Sequence, residues 1–183
     1  MPILLEGRKV NLRIMNREDL SLLTEYENDP EFWGKLAVYP FQQKSRTDWE
    51  KEYDKRPPEE NWFFIEKKDG TKIGGIFHFL EGKLLTIGYA IVKSERRKGY
   101  CTEAAKIVVD YLFLSRDIVR IQALTDPKNI ASQRILESVG FKKEGTIRKY
   151  EFVHGKWRDA LLYSILREEW KKPKILSKTT SET

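Results

Sequence analysis

The sequence predicts a mixed α/β domain, a single mostly antiparallel sheet with helices on both faces. Residues 86–92, Thr-Ile-Gly-Tyr-Ala-Ile-Val, are β-branched and aromatic as a strand requires. Just beyond them Ala104, Ala105, Val108, Val109, Leu112 and Phe113 recur at helical spacing. Three runs at residues 62–66, 73–80 and 84–92 are separated by Asp69-Gly70 and by Glu81-Gly82-Lys83, so they read as an antiparallel meander. Regular β-α-β alternation and a Gly-x-Gly-x-x-Gly turn are both missing, which excludes a doubly wound dinucleotide fold. A Walker-type Gly-Lys-Ser/Thr is missing too.

In chain order, Val10, Leu12 and Ile14 alternate with polar residues as a first strand. Asn16 with Asp19 three residues later opens a helix through Leu20, Leu23 and Tyr26, which Asp29-Pro30 ends. Residues 31–41 form an aromatic-rich loop that lines a substrate slot or packs on the sheet. Ser45 and Asp48 cap a second helix, stopped by Pro57-Pro58. The meander and the central helix follow. Then come a strand over 119–125, a helix over 129–138 stopped by Gly140, a strand over 147–153, a turn at His154-Gly155 and a closing strand over 157–166. Residues 1–172 make one domain and the polar residues 173–183 a frayed tail.

Of 183 residues 40% are hydrophobic and 34% charged, a globular profile. One cysteine, Cys101, and two distant histidines, His78 and His154, build neither a disulfide framework nor a metal-ligand set, so no metal is expected. With no signal-peptide run and no bilayer-length apolar stretch, the chain reads as cytoplasmic, without a membrane partner. The net charge of +6 comes from basic residues scattered among 28 acidic ones. It suits a polyanionic cofactor or a ribosome-associated setting better than direct nucleic-acid binding.

The turn between strand and central helix carries Arg96, Arg97, Lys98, Gly99, Tyr100, Cys101 and Thr102. A helix start exposes unpaired N–H groups and a partial positive charge, here reinforced by three cationic side chains, so it suits phosphate. Gly99 permits close approach of an anion, and Thr102 caps the helix or donates to a phosphate oxygen. The same run would also serve as a solvated surface turn.

Arg96-x-x-Gly99-x-Cys101 followed by Thr102-Glu103-Ala104, then Asn129-x-x-Ser132 with Gly140-Phe141 and Glu144-Gly145, together resemble the motifs of the GNAT superfamily of acetyl-CoA-dependent N-acetyltransferases. Leu12-Arg13, Glu18-Asp19-Leu20 and Asn28-Asp29-Pro30 point to its branch of RimJ- and RimL-like ribosomal-protein N-terminal acetyltransferases. The match runs from about residue 8 to 170. Cys101 replaces the usual small Gly or Ala, and Arg97 stands where Gly is common.

The resemblance implies the GNAT fold, its sheet splayed at the cofactor site, and acetyl-CoA as co-substrate. Residues 96–102 would hold the CoA pyrophosphate, the backbone of Ile91 and Val92 would pair with the pantetheine arm, and Asn129 would hold the same arm or simply cap its helix. The family's common tyrosine acid, seven residues after the asparagine, is replaced here by Leu136. Ser132 resembles the branch's hydrogen-bond donor to the CoA sulfur, and Glu151 stands where RimL-like enzymes place a base. An amide near Val92, on a bulged strand, would serve as oxyanion donor. His78 is a rival base, or a packed strand residue. Cys101 lines the loop and is not a nucleophile.

The implied activity is direct acetyl transfer to a primary amine, either a protein N-terminus such as that of a ribosomal protein or a small molecule, by a monomer or homodimer. The alternatives are a silent acyl-CoA-binding or ribosome-docking module, and a polyamine or antibiotic acetyltransferase.

Overall fold

The computed structural model describes residues 4–40 and 42–173; Phe41 and all but the first residue of the expected frayed tail lie outside them. The described residues form one sheet of β1 (Leu4–Glu6), β2 (Val10–Ile14), β3 (Asn61–Lys67), β4 (Lys72–Glu81), β5 (Leu84–Ile91), β6 (Arg120–Thr125), β7 (Lys142–Val153) and β8 (Lys156–Leu166). Their order is β1-β2-β3-β4-β5-β6-β8-β7. Every neighbouring pair is antiparallel except β5 and β6.

Helices α1 (Leu20–Glu27), α2 (Pro30–Trp33) and α3 (Arg46–Lys55) precede the meander, α4 (Tyr100–Ser115) follows β5, and α5 (Ile130–Val139) follows β6. The short β1 and the single turn α2 are additions to the expected order. Asp29-Pro30, expected only to end a helix, also starts one: the Asp29 carboxylate accepts from the Glu31 amide at 2.8 Å, and Pro30 takes the first turn, where no N–H is needed. Ser45 and Asp48 do form the expected reciprocal cap on α3.

Alternation along the strands sends side chains to two cores. Leu12, Phe63, Ile65, Ile76 and Ile87 pack with Ile107, Val108 and Leu112 of α4. On the other face Phe64 and Met15 meet Leu20 and Trp49. The α4 residues Ala104, Ala105, Ile107, Val108 and Leu112 are fully buried, and each large aliphatic among them contributes about 1.5–3 kcal/mol. That burial holds the start of α4 rigidly beside the end of β5.

A second anchor was not legible in the sequence. The Glu103 carboxylate, on the first turn of α4, accepts from the backbone amides of Arg8, Lys9 and Val10 at 2.9, 2.6 and 2.9 Å. Gly7 lets the chain turn there, since a Cβ would come within 2.6 Å of the Val10 carbonyl oxygen and 2.7 Å of Ile107. Replacing Glu103 by Ala strands three amides at once. The expected loss is about 4 kcal/mol of unfolding free energy, read as a lower urea midpoint with unchanged slope.

Candidate active site

Strands β5 and β6 pair only at Leu85↔Ile121 and Thr86↔Gln122, after which they part while β4 keeps pairing with β5 as far as Gly74↔Ile91. The sheet therefore opens on one side of β5. The Val92 amide donates to the Ile73 carbonyl at 2.9 Å, which fixes the alternation. Ile91 and Tyr89 then turn their backbone N–H and C=O groups toward the gap between β5 and β6.

This corrects two expectations. Both Val92 backbone groups are used, its carbonyl accepting from the Glu95 amide at 3.0 Å, so the expected pairing of the Val92 backbone with the pantetheine arm finds no free group, and the amide near Val92 that stays open is that of Ile91. Nor is β5 bulged along β4: the register runs unbroken from Gly74↔Ile91 to Glu81↔Leu84. The amides available on the open side belong to Tyr89 and Ile91.

At the end of β5 the chain turns through Lys93–Glu95, and Arg97 and Gly99 take left-handed conformations with φ of 66° and 83°. The conformation of Arg97 explains why Gly is common there in the family. Helix α4 begins at Tyr100, so Thr102 lies inside its first turn and does not cap it. The first four amides, from Gly99 to Thr102, precede any intrahelical bond, and Lys9 Nζ, which donates to the Lys98 carbonyl at 3.2 Å, adds a cation beside them. A polyanion fits this cradle.

The side chains of the turn divide. Arg96 donates to the carbonyls of Ile91, Glu31 and Phe32, so it ties α2 to the open edge at the end of β5. Its side chain, expected to hold phosphate, has these three protein carbonyls as its partners. Lys98 pairs with Glu95 at 2.8 Å, and Arg97 is exposed. Burial pushes the Cys101 thiol up to about 12, which keeps it protonated and inert as a nucleophile.

Beyond the gap lies a crevice of about 800 Å³, a volume suited to a small-molecule or peptide site. Asn129, Ser132 and Leu136 of α5, Tyr89 of β5 and Glu151 of β7 all line it. Asn129 caps α5, its side chain accepting from the Ser132 amide at 3.1 Å. The Tyr89 hydroxyl meets Ser132 Oγ at 3.0 Å. A break in the β7–β8 register between Ile147 and Glu151, where Lys149 has a φ of 51°, puts Glu151 and not Lys149 opposite Arg158. Its carboxylate is engaged by the adjacent Phe152 amide at 3.2 Å.

The crevice is also walled by Trp33, Tyr39, Trp49, Trp62 and Phe77, with Glu27 and Glu52 among them. Of the residues expected in an aromatic loop, Trp33 and Tyr39 line the crevice and also pack on Phe77 and Phe79 of β4, and Trp33 sits on α2. Glu27 accepts from Trp33 Nε1 at 2.7 Å, and burial pushes its carboxyl up to about 7. Lys44 pairs with Glu52 at 2.6 Å and lies 4.4 Å over the Trp49 ring.

His78 is elsewhere. It is fully buried on the α4 face beside Phe63 and Tyr111, with neither ring nitrogen hydrogen-bonded, and burial lowers its pKa to about 4. As the rival base it is ruled out by position, since it does not line the crevice.

A family model described as Acetyltransferase (GNAT) domain matches residues 9–142. The chain belongs to the GNAT acetyltransferase family. It is 31% identical over 169 residues to an uncharacterized N-acetyltransferase, p20, of Bacillus licheniformis, a match covering 88% of this chain and 95% of the relative. Among solved structures it is similar to Mycobacterium smegmatis RimJ in complex with CoA-disulfide, with a TM-score of 0.77, 26% identity, and coverage of 94% of this chain and 91% of that one. It also shares the fold of a Vibrio cholerae spermidine N-acetyltransferase in complex with CoA and spermine, at a TM-score of 0.77 and 20% identity, covering 90% and 99% of the two chains.

The GNAT chain is thus an N-acetyltransferase. No helix among the described residues is long and apolar enough to cross a membrane, and the described residues hold no cluster of metal-ligating side chains. Sequence reasoning missed Tyr89 and Glu27 as site residues. Tyr89 was visible only as a β-former, and an acid at the end of an amphipathic helix carries no signal of burial.

Proposed function

We propose that the enzyme moves an acetyl group from acetyl-CoA directly to a primary amine, and that the acceptor enters at the aromatic end of the crevice. The amides of Gly99 to Thr102 hold the pyrophosphate, with Lys9, Arg97 and Lys98 supplying cationic charge around it. The Tyr89 backbone and the Ile91 amide pair with the pantetheine arm as an added strand would, the Ile91 carbonyl being held by Arg96, with Asn129 on the opposite wall. Acetyl-CoA supplies the activated acyl thioester. Glu151 takes the proton that the ammonium must lose, directly or through water, and the amides on the open edge of β5 stabilise negative charge on the carbonyl oxygen. Ser132 hydrogen-bonds the departing sulfur in place of the tyrosine that Leu136 displaces.

The observation that carries this reading is the joining of Asn129, Ser132, Tyr89 and Glu151 in one crevice with the aromatic and acidic acceptor end. Carboxylates of Glu27, Glu52 and Glu151 favour a cationic acceptor in a chain whose net charge is +6 overall. The open crevice suits a peptide N-terminus, the substrate class of the ribosomal-protein enzymes. The several carboxylates favour, as a second reading, a small polyamine.

A screen of amine acceptors with acetyl-CoA, reading free thiol, separates these readings. Peptides with free N-termini are expected to turn over, and faster turnover of polyamines moves the assignment to the second reading. Tight CoA binding without thiol release for any acceptor would make the chain a silent binding module and overturn the proposal.

A further inference from the structure

We infer that Tyr89 is a positioning residue for the transfer: its hydroxyl holds Ser132 Oγ so that the serine proton points into the crevice toward the leaving sulfur. The inference rests on the role proposed for Ser132. Alternation along β5 places Tyr89 with Ile87 and Ile91 on the α4–α5 side, and its ring packs against that core. From there its hydroxyl reaches the first turn of α5, 3.0 Å from Ser132 Oγ and 3.4 Å from the Ser132 carbonyl oxygen. The Ser132 amide is already taken by Asn129. The serine hydroxyl is therefore the one Ser132 group whose direction is still to be set.

A phenol has one proton. If Tyr89 gives it to Ser132 Oγ, the serine keeps its own O–H free and is held by the phenol at one side and by its backbone at the other. Burial raises the Tyr89 pKa, so the phenol keeps the proton that it needs to act as the donor. The same shift makes it a poor acid toward a thiolate, which fits a residue that orients Ser132 and does not itself surrender a proton. The first coordination of the sulfur is thus built from two elements, β5 and α5, on the two sides of the open sheet. That is how a chain with Leu136 at the usual tyrosine position retains a hydroxyl donor there.

The test compares Ser132→Ala, Tyr89→Phe and the double variant in two readouts. The first is kcat against KM with a responsive acceptor. The second, independent of turnover, is the thiol pKa of bound CoA, followed by the ultraviolet absorbance of the thiolate. Ser132→Ala is expected to lower kcat about 100-fold, Tyr89→Phe to do nearly the same, and the double variant to be no worse than Ser132→Ala. Both single variants should raise the bound-thiol pKa by similar amounts, with KM for acetyl-CoA and the thermal midpoint little changed.

Full activity and an unshifted thiol pKa in Ser132→Ala would remove the proposed role of Ser132 itself. A loss in Ser132→Ala with wild-type behaviour in Tyr89→Phe, or a multiplicative loss in the double variant, would overturn the inference about Tyr89 alone. A lowered thermal midpoint together with weakened CoA binding in Tyr89→Phe would make its hydroxyl merely structural, which also overturns it.

Discussion

Glu151→Gln is expected to lower kcat about 1000-fold while leaving KM for acetyl-CoA and the thermal midpoint near wild type. Glutamine keeps the size of the side chain and its contact to the Phe152 amide, but it cannot accept a proton. The effect should therefore fall on turnover and not on the fold. Glu27 is the control, since its carboxyl lies in the same crevice and burial holds it near neutrality, at about 7. Were Glu27 the base, kcat/KM would rise with pH through that value as the carboxyl ionised, and Glu27→Gln would abolish the rise. Full rate in Glu151→Gln combined with that loss in Glu27→Gln would transfer the role. Steady-state rates of both variants across the pH range decide it.

Gly99→Trp is expected to weaken CoA binding by at least about 100-fold. Two penalties combine. The φ of 83° at Gly99 is a left-handed conformation that costs a residue with a Cβ about 1–2 kcal/mol, and the added Cβ would sit 3.3 Å from Lys9 Nζ. The lysine can swing aside, but the indole beyond the Cβ must then occupy the space in front of the Gly99 to Thr102 amides. Calorimetric titration with CoA reads the affinity. Far-ultraviolet circular dichroism checks that α4 still forms. Undiminished binding by a folded variant would remove the polyanion from this cradle and, with it, the assignment of the cofactor site.

The elements and the cradle were legible because they are written in local chemistry. The meander is spelled by Asp69-Gly70 and Glu81-Gly82-Lys83 between strand-forming runs, and the strand-to-helix turn by Arg96-Arg97-Lys98-Gly99 before an apolar helix. Where local chemistry is ambiguous the reading slipped. Asp29-Pro30 ends one helix and begins the next, because proline is as suited to the first helical turn as it is unsuited to an interior one. Val92 was expected to face the cofactor, but strand periodicity alone does not say which neighbour an amide faces; the bond from Val92 to Ile73 does. Arg96 belonged by spacing to the phosphate loop, and its long side chain reaches three carbonyls, of Ile91, Glu31 and Phe32, that no spacing foretells.

What the sequence determined by itself is the order of elements apart from β1 and α2, the family, and the chemistry of the strand-to-helix turn. Only the tertiary structure decided which side chains share the crevice. Tyr89 meets Ser132 across 43 positions, and Glu103 reaches the backbone more than 90 positions away. Glu151, and not Lys149, stands opposite Arg158 because the register of β7 on β8 breaks just before it. Such pairings depend on sheet order, splay and register, which arise when the strands pack together, and no short window of sequence contains them.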